Sequence, residues 1–114
     1  MQITDVNTGV EVLVNAIKTD YRDWTLRSDE YTEINTQMIN EFESGLEVKN
    51  GQKYFKIINN TGGVWGFVVK NDDDKFKAGD ILRAASYNTP TRNKARGNVL
   101  DGFSVCWTGP KYLV

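Results

Sequence analysis

Around residue 46 the chain changes its apolar period, and this change limits the available folds more than any other feature. Before it, apolar residues recur at three- and four-residue steps; after it, short alternating runs are separated by turn chemistry. Val10, Leu13, Val14, Ile17, Tyr21 and Trp24 place one stripe on an amphipathic helix of about four turns. Thr8 and Glu11 stand in capping-box positions at its start. Ser28, followed by Asp29 and Glu30, marks a second helix, which Tyr31, Ile34, Met38 and Phe42 continue and Gly45 ends. Trp24 and Phe42 fall on these stripes and are expected in the core.

Asn50-Gly51 is a strong hairpin signal. A two-residue turn there pairs Lys49 with Gln52, Val48 with Lys53 and Leu46 with Phe55. Leu46, Val48, Phe55 and Ile57 then share the buried face. Asn59 to Gly63 reads as a loop, and Val64 to Lys70, apolar on both faces, as a central strand. Asn71 to Lys75 is a polar loop, and Ala78-Gly79-Asp80 turns into a strand over Ile81 to Ala85. Ser86 to Asn98 has no apolar period. Asp101-Gly102 marks another turn before a strand over Phe103 to Trp107, which Thr108-Gly109-Pro110 breaks ahead of Tyr112-Leu113-Val114. The expected fold is α+β: two N-terminal helices packed on a five- or six-stranded, mainly antiparallel sheet. A small, partly closed β-barrel with N-terminal helices is the alternative.

At 114 residues the chain fits a single domain, 1–114, with a helical part over 1–46 and a β part over 47–114. The two parts differ in charge. Residues 1–47 carry ten acids against Lys18, Arg22 and Arg27, whereas residues 48–114 carry eleven Lys and Arg against five acids. The basic half favours an anionic partner, although acidic helices packed beside a basic sheet, or a neighbouring subunit in a homo-oligomer, would also account for the division. No apolar run approaches the roughly 20 residues of a membrane span. Met1 to Asp5 lacks the build of a signal peptide, and the lone Cys106 cannot form an internal disulfide. These features lead us to expect a cytoplasmic protein.

With no histidine, the Ser-His-Asp, Cys-His and histidine-ligated metal arrangements are excluded. Cys106, between Val105 and Trp107, reads as a structural thiol with no base to activate it. Gly62-Gly63 lacks the Gly-Lys-Ser/Thr of a phosphate loop. Asp72-Asp73-Asp74 lacks the glycine and distal glutamate of a calcium loop, so no metal or cofactor is expected. Glu47-Val48-Lys49 matches the Glu-x-Lys half of a nuclease site, but the companion aspartate has no candidate. No catalytic residue is assigned.

Ser86 to Asn98 is the informative segment. It carries three cations, and no acid occurs between Asp80 and Asp101. Arg92, Lys94 and Arg96 suit phosphate, the guanidinium fork giving two parallel hydrogen bonds. Asn93 and Asn98 suit polar recognition, and Tyr87 suits base stacking, as do Trp65 and Trp107 if they face outward. Pro90 stiffens the loop. In the competing reading this is a solvated loop whose arginines pair with the acidic helices.

Phe76 to Ser86, Asn93 to Val99 and Trp107 to Leu113 together resemble small uncharacterised accessory proteins of tailed bacteriophages. The resemblance covers roughly the last third of the chain. It implies a viral protein acting in the bacterial host cytoplasm, where such proteins disable a host factor or sequester a nucleotide signal of host defence.

The expectation is therefore a non-enzymatic binder of a phosphate-bearing ligand, a nucleotide signal or nucleic acid, through loop 86–98. One alternative is an inhibitor of a host enzyme, using an acidic helical face of Asp20, Asp23, Asp29, Glu30 and Glu33. Another is an enzyme working through Asp, Lys, Arg or Tyr without histidine.

Overall fold

The computed structural model describes residues 5–26, 33–59, 61–92, 95–103, 105–106 and 109–110. Two helices, α1 (Val6–Thr25) and α2 (Glu33–Gly45), precede the strands β1 (Glu47–Asn50), β2 (Tyr54–Ile58), β3 (Val64–Val69) and β4 (Ile81–Leu82). These four strands form one antiparallel sheet in the order β1-β2-β3-β4. Two short antiparallel ribbons follow, β5 (Gly97–Asn98) with β6 (Gly102–Phe103), and β7 (Val105–Cys106) with β8 (Gly109–Pro110). The architecture is α+β, and the described strands form no closed barrel.

Helix α1 starts one turn before the capping-box position. Asp5 is its N-cap, accepting from Thr8 N–H at 2.8 Å and from the Thr8 hydroxyl at 2.9 Å. Those two bonds, the backbone one first, hold the Asp5 carboxyl below its usual pKa. The extra turn also lets Val6 pack against the core. Leu13, Ile17, Tyr21 and Thr25 form the buried ridge at the far end of α1, four residues apart. Trp24 therefore lies beside the ridge and is 40% exposed, contrary to its expected core position. In α2 the buried pair is Ile39 and Phe42, and Ile34 is 70% exposed. Phe42 lies in the core, its ring stacked on Tyr21 with centroids 3.9 Å apart. Ser28 and Tyr31 lie outside the described residues.

The first hairpin keeps the expected faces but not the expected register. Val48 lies opposite Ile57 and Asn50 opposite Phe55, which shifts the register by four and leaves the four residues 51–54 in the turn instead of two. The wider turn exchanges a Val48–Lys53 pair for an apolar Val48–Ile57 pair. Lys70 holds it, its ammonium hydrogen-bonded to the Asn50 side chain and to the Gly51 carbonyl. Strand β3 is interior, as its two apolar faces require. A register shift opposite Ile57 and Ile58 leaves Trp65 as the extra residue, buried in the helix-side core. Trp65 is therefore unavailable as a stacking platform.

The sheet has two unlike coverings. On one face, Phe55, Ile57, Val68 and Ile81 meet Val10, Leu13, Ile17 and Phe42 of the helices. Phe67, Val69 and Leu82 on the other face are covered by Phe76, with Ala84 and Ala95 alongside, from the segment between β3 and β5. Outside β4, this segment and its continuation through β5 to Asp101 (residues 70–80, 83–92 and 95–101) form the strap. Helix and strap meet at Gly9, where a Cβ would stand 2.6 Å from Val99 Cγ2. The chain pairs less regularly here than expected. The strand after Gly79 is only two residues long, with isolated bridges from Asp80 to Asn98 and Ala84 to Pro90. Gly109-Pro110 pairs with Val105-Cys106 instead of ending the strand. Trp107, Thr108 and residues 111–114, and the Cys106 side chain, lie outside the described set.

Candidate functional site

The strap is shaped by short polar side chains. Asp72 accepts from Ala78 N–H at 2.8 Å, and Asp80 from Lys77 N–H at 2.9 Å. Asp73 Oδ1 accepts from Lys75 N–H at 2.8 Å and Phe76 N–H at 2.7 Å, while its Oδ2 takes Arg92 Nη2 at 3.0 Å. The Phe76 and Lys75 amides, and then Arg92, hold the Asp73 carboxyl down to about 2. Two aspartates of the triple thus close the loop. The Asp74 carboxylate is solvent-exposed, 3.9 Å from Arg92. No cluster of three or more potential metal ligands occurs among the described residues.

The residues singled out in loop 86–98 part company here. Arg92 also donates to the Tyr54 hydroxyl and lies over the Phe76 ring, 4.8 Å from its centroid. Its guanidinium pKa is raised by the Asp73 hydrogen bond. Its acidic partner comes from the 71–74 loop, not from the helices. Arg96 is only 6% exposed, and its backbone N–H donates to the Ile81 carbonyl at 2.7 Å. Asn98 joins three pieces of backbone. Its amide donates to Ala78 O at 3.0 Å and Asp80 Oδ1 at 2.9 Å, and its Oδ1 accepts from Leu100 N–H at 2.7 Å and Asp101 N–H at 3.2 Å. Gly79, at φ 92°, sits against this amide, where a Cβ would stand 2.9 Å from Asn98 Oδ1. Asn93 and Lys94 lie outside the described residues.

Tyr87 is different. It sits at the tip of a closed turn, in which Ala85 and Ser86 N–H both donate to Thr89 O at 2.9 and 3.0 Å. Buried Pro90 bridges back to Ala84. The Tyr87 ring is 49% exposed, and Lys56 Nζ stands 3.8 Å from its centroid. The same ammonium donates to Asn88 Oδ1 at 2.9 Å. An exposed aromatic ring, an ammonium and an amide are thus held together by a rigid turn and by β2. Lys56 is 31 positions from Tyr87, and the composition of loop 86–98 does not announce it. Its signal was alternation: Lys56 lies between Phe55 and Ile57 and must face away from the helices.

Glu47 and Lys49 share a face of β1, but their cross-strand partners are Ile58 and Lys56, and no aspartate completes a nuclease-like triad there. No described helix is long and apolar enough to cross a membrane.

A family model described as a family of unknown function (DUF7717) matches residues 1–108, and the chain belongs to that family. No curated protein matches the chain. No solved structure matches it either.

Proposed function

We propose that the protein is a non-enzymatic binder of a phosphate-bearing ligand, received at the strap tip by Tyr87, Lys56 and Asn88. The observation that carries this reading is the braced Tyr87 ring, half exposed and in contact with a lysine ammonium. An aromatic side chain held in the open is a platform on which a base stacks, and a neighbouring cation meets the phosphate that follows. No acid occurs between Asp80 and Asp101, so the segment that carries the turn adds cations and no negative charge. One tyrosine face and one ammonium enclose little of a ligand. Affinity there would accumulate along a chain, which favours single-stranded nucleic acid over a lone nucleotide. The resemblance of residues 76–113 to phage accessory proteins supplies the setting: a viral protein in the host cytoplasm, counteracting host defence.

Fluorescence anisotropy with single-stranded oligonucleotides and with mononucleotides, at several salt concentrations, tests the reading. Stacking on one base is worth about 1–3 kcal/mol, so Tyr87→Ala should weaken oligonucleotide binding by roughly 5- to 150-fold. Lys56→Gln should flatten the salt dependence by about 0.7 in log–log slope, the loss of one phosphate contact. Wild-type protein that binds neither probe, or a Tyr87→Ala variant that binds like wild type, would rule the site out.

A second reading rests on Trp24. This aromatic is 40% exposed on α1 beside Asp23, and anchors of that kind are enriched at protein interfaces. It corresponds to the host-enzyme inhibitor using the acidic helical face. Asp29 and Glu30 of that face lie outside the described residues. Trp24→Ala should then abolish co-purification of one defined host protein while leaving nucleic-acid binding intact.

A further inference from the structure

Strand β1 is an outer edge of the main sheet. Among the described residues nothing pairs with its free side, and all four residues of Glu47–Asn50 are exposed. An open edge is a template for another strand, and proteins that must avoid such pairing blunt it with short strands, proline, a bulge or charged side chains, lysine above all. Strand β1 has no proline, the register shift of the sheet lies between β2 and β3, and on this four-residue strand the charges, Glu47 and Lys49, are of opposite sign. These charges are self-complementary. If β1 is laid antiparallel on a second β1 about Val48, Glu47 faces the copy's Lys49, Lys49 faces the copy's Glu47, and Val48 faces Val48.

Two further observations favour that pairing. Within one chain Lys49 lies directly opposite Lys56, a like-charge pair that weakens a ladder. The copy's Glu47 would flank Lys49 on its other side and offset that repulsion. On the helix-facing side, Val48 is 38% exposed and lines a groove of about 530 Å³ between α1 and the sheet. Val10, Val14 and Phe55 form the apolar part of the groove, so the copy's Val48 would arrive beside apolar surface.

We propose that two copies of this chain associate through β1 about a two-fold axis, joining two four-stranded sheets into one continuous sheet of eight. The contact makes no use of Tyr87, so it stands or falls apart from the ligand reading.

Sedimentation equilibrium over a concentration series tests the proposal, with circular dichroism as a check that each variant folds. Wild type should show a reversible monomer–dimer equilibrium. Glu47→Lys alone places lysine against Lys49 of the copy, and Lys49→Glu alone places glutamate against Glu47; each should remain monomeric where wild type dimerises. An equimolar mixture of the two variants pairs opposite charges throughout and should form a heterodimer. The double variant E47K/K49E should recover the homodimer. A wild-type chain that stays monomeric throughout, single variants that dimerise like wild type, or folded single variants that fail to combine when mixed would each overturn the proposal.

Discussion

The two faces of the sheet are closed by different means. Against the helices, burial is regular: Leu13, Ile17 and Phe42 meet Phe55, Ile57 and Val68 in one large cluster. The strap side has a small apolar cluster around Phe67, Phe76 and Leu82, and the rest of its order comes from aspartate and asparagine bonds to backbone. The first face is held by area removed from water, which is non-directional and large. The second depends on directional bonds, each worth only about 1 kcal/mol net when both partners are solvated on unfolding. The proposed ligand platform lies on the strap side, on the less heavily buried of the two coverings.

The largest expected effect is on the helix side. Phe42→Ala removes a fully buried ring stacked on Tyr21 and should cost about 3–5 kcal/mol in denaturant unfolding. Trp24→Ala, at a half-exposed position beside the same ridge, should cost under about 1 kcal/mol. Phe76→Ala is the matching test on the strap. We expect about 2–3 kcal/mol, below the usual range for phenylalanine, because a small cluster under a loop can partly collapse into the space. Equal losses for Phe42 and Phe76 would break the comparison and make the strap part of one uniform core.

Asn98→Ala sharpens it from the polar side. The change strips four hydrogen bonds from the strap, and leaving part-buried groups unsatisfied should cost about 2 kcal/mol. Amide exchange should rise at Leu100 and Asp101 while the amides of α1 stay protected. Uniform loss of protection over both regions would show that the strap does not loosen on its own.

Where helix meets strap, Gly9 separates packing from propensity. Alanine is favoured over glycine inside a helix by about 1 kcal/mol. Here the added methyl group meets Val99 side-chain carbons at 2.6 and 2.8 Å and the Val99 carbonyl oxygen at 3.3 Å. Overpacking of that kind costs about 1–3 kcal/mol, so Gly9→Ala should be destabilising by roughly 1 kcal/mol net. A stabilised variant would mean that Val99 moves aside easily and that the two coverings are only loosely joined.

The same division explains what was legible in the sequence. Leu13, Ile17 and Phe42 announce the helices because a regular element repeats its chemistry at a fixed step, and alternation placed Phe55 and Ile57 on the correct face. Trp24 falls off the stripe because a ridge of four-residue steps drifts around the helix and reaches Thr25 instead. Asn50-Gly51 signals a turn but not the cross-strand partners that decide its width, so the turn in the fold is wider than the pair alone implies. In the candidate site, Tyr87 could be found from local composition. Lys56 approaches it only through the pairing of distant segments, and nothing near Arg92 in sequence announces Asp73 as its partner. Asn98 looked like a recognition residue because a structural asparagine and a binding one have the same side chain.

The smallest expected effect is an acid response of the strap. Asp73 titrates near 2 in the folded chain, against an ordinary value of 3.8, because the Phe76 and Lys75 amides and Arg92 favour its charged form. A depressed folded value means that the carboxylate contributes stability above about pH 4, and that this contribution is lost as pH falls toward about 2. Carboxyl-detected NMR should place the Asp73 midpoint well below the ordinary aspartate value of 3.8. Over the same window the Lys75 and Phe76 amides should shift and Arg92 should lose its ionic partner, while α1 responds only at its Asp5 cap and the helix-side core remains in place. Asp73→Asn keeps the shape but removes the charge, so it should abolish that local step and bring the loosened strap to neutral pH. An ordinary Asp73 midpoint would mean that its amide bonds are not maintained in solution. The strap would then rest on the Phe76 cluster alone, and the polar half of the comparison would fail.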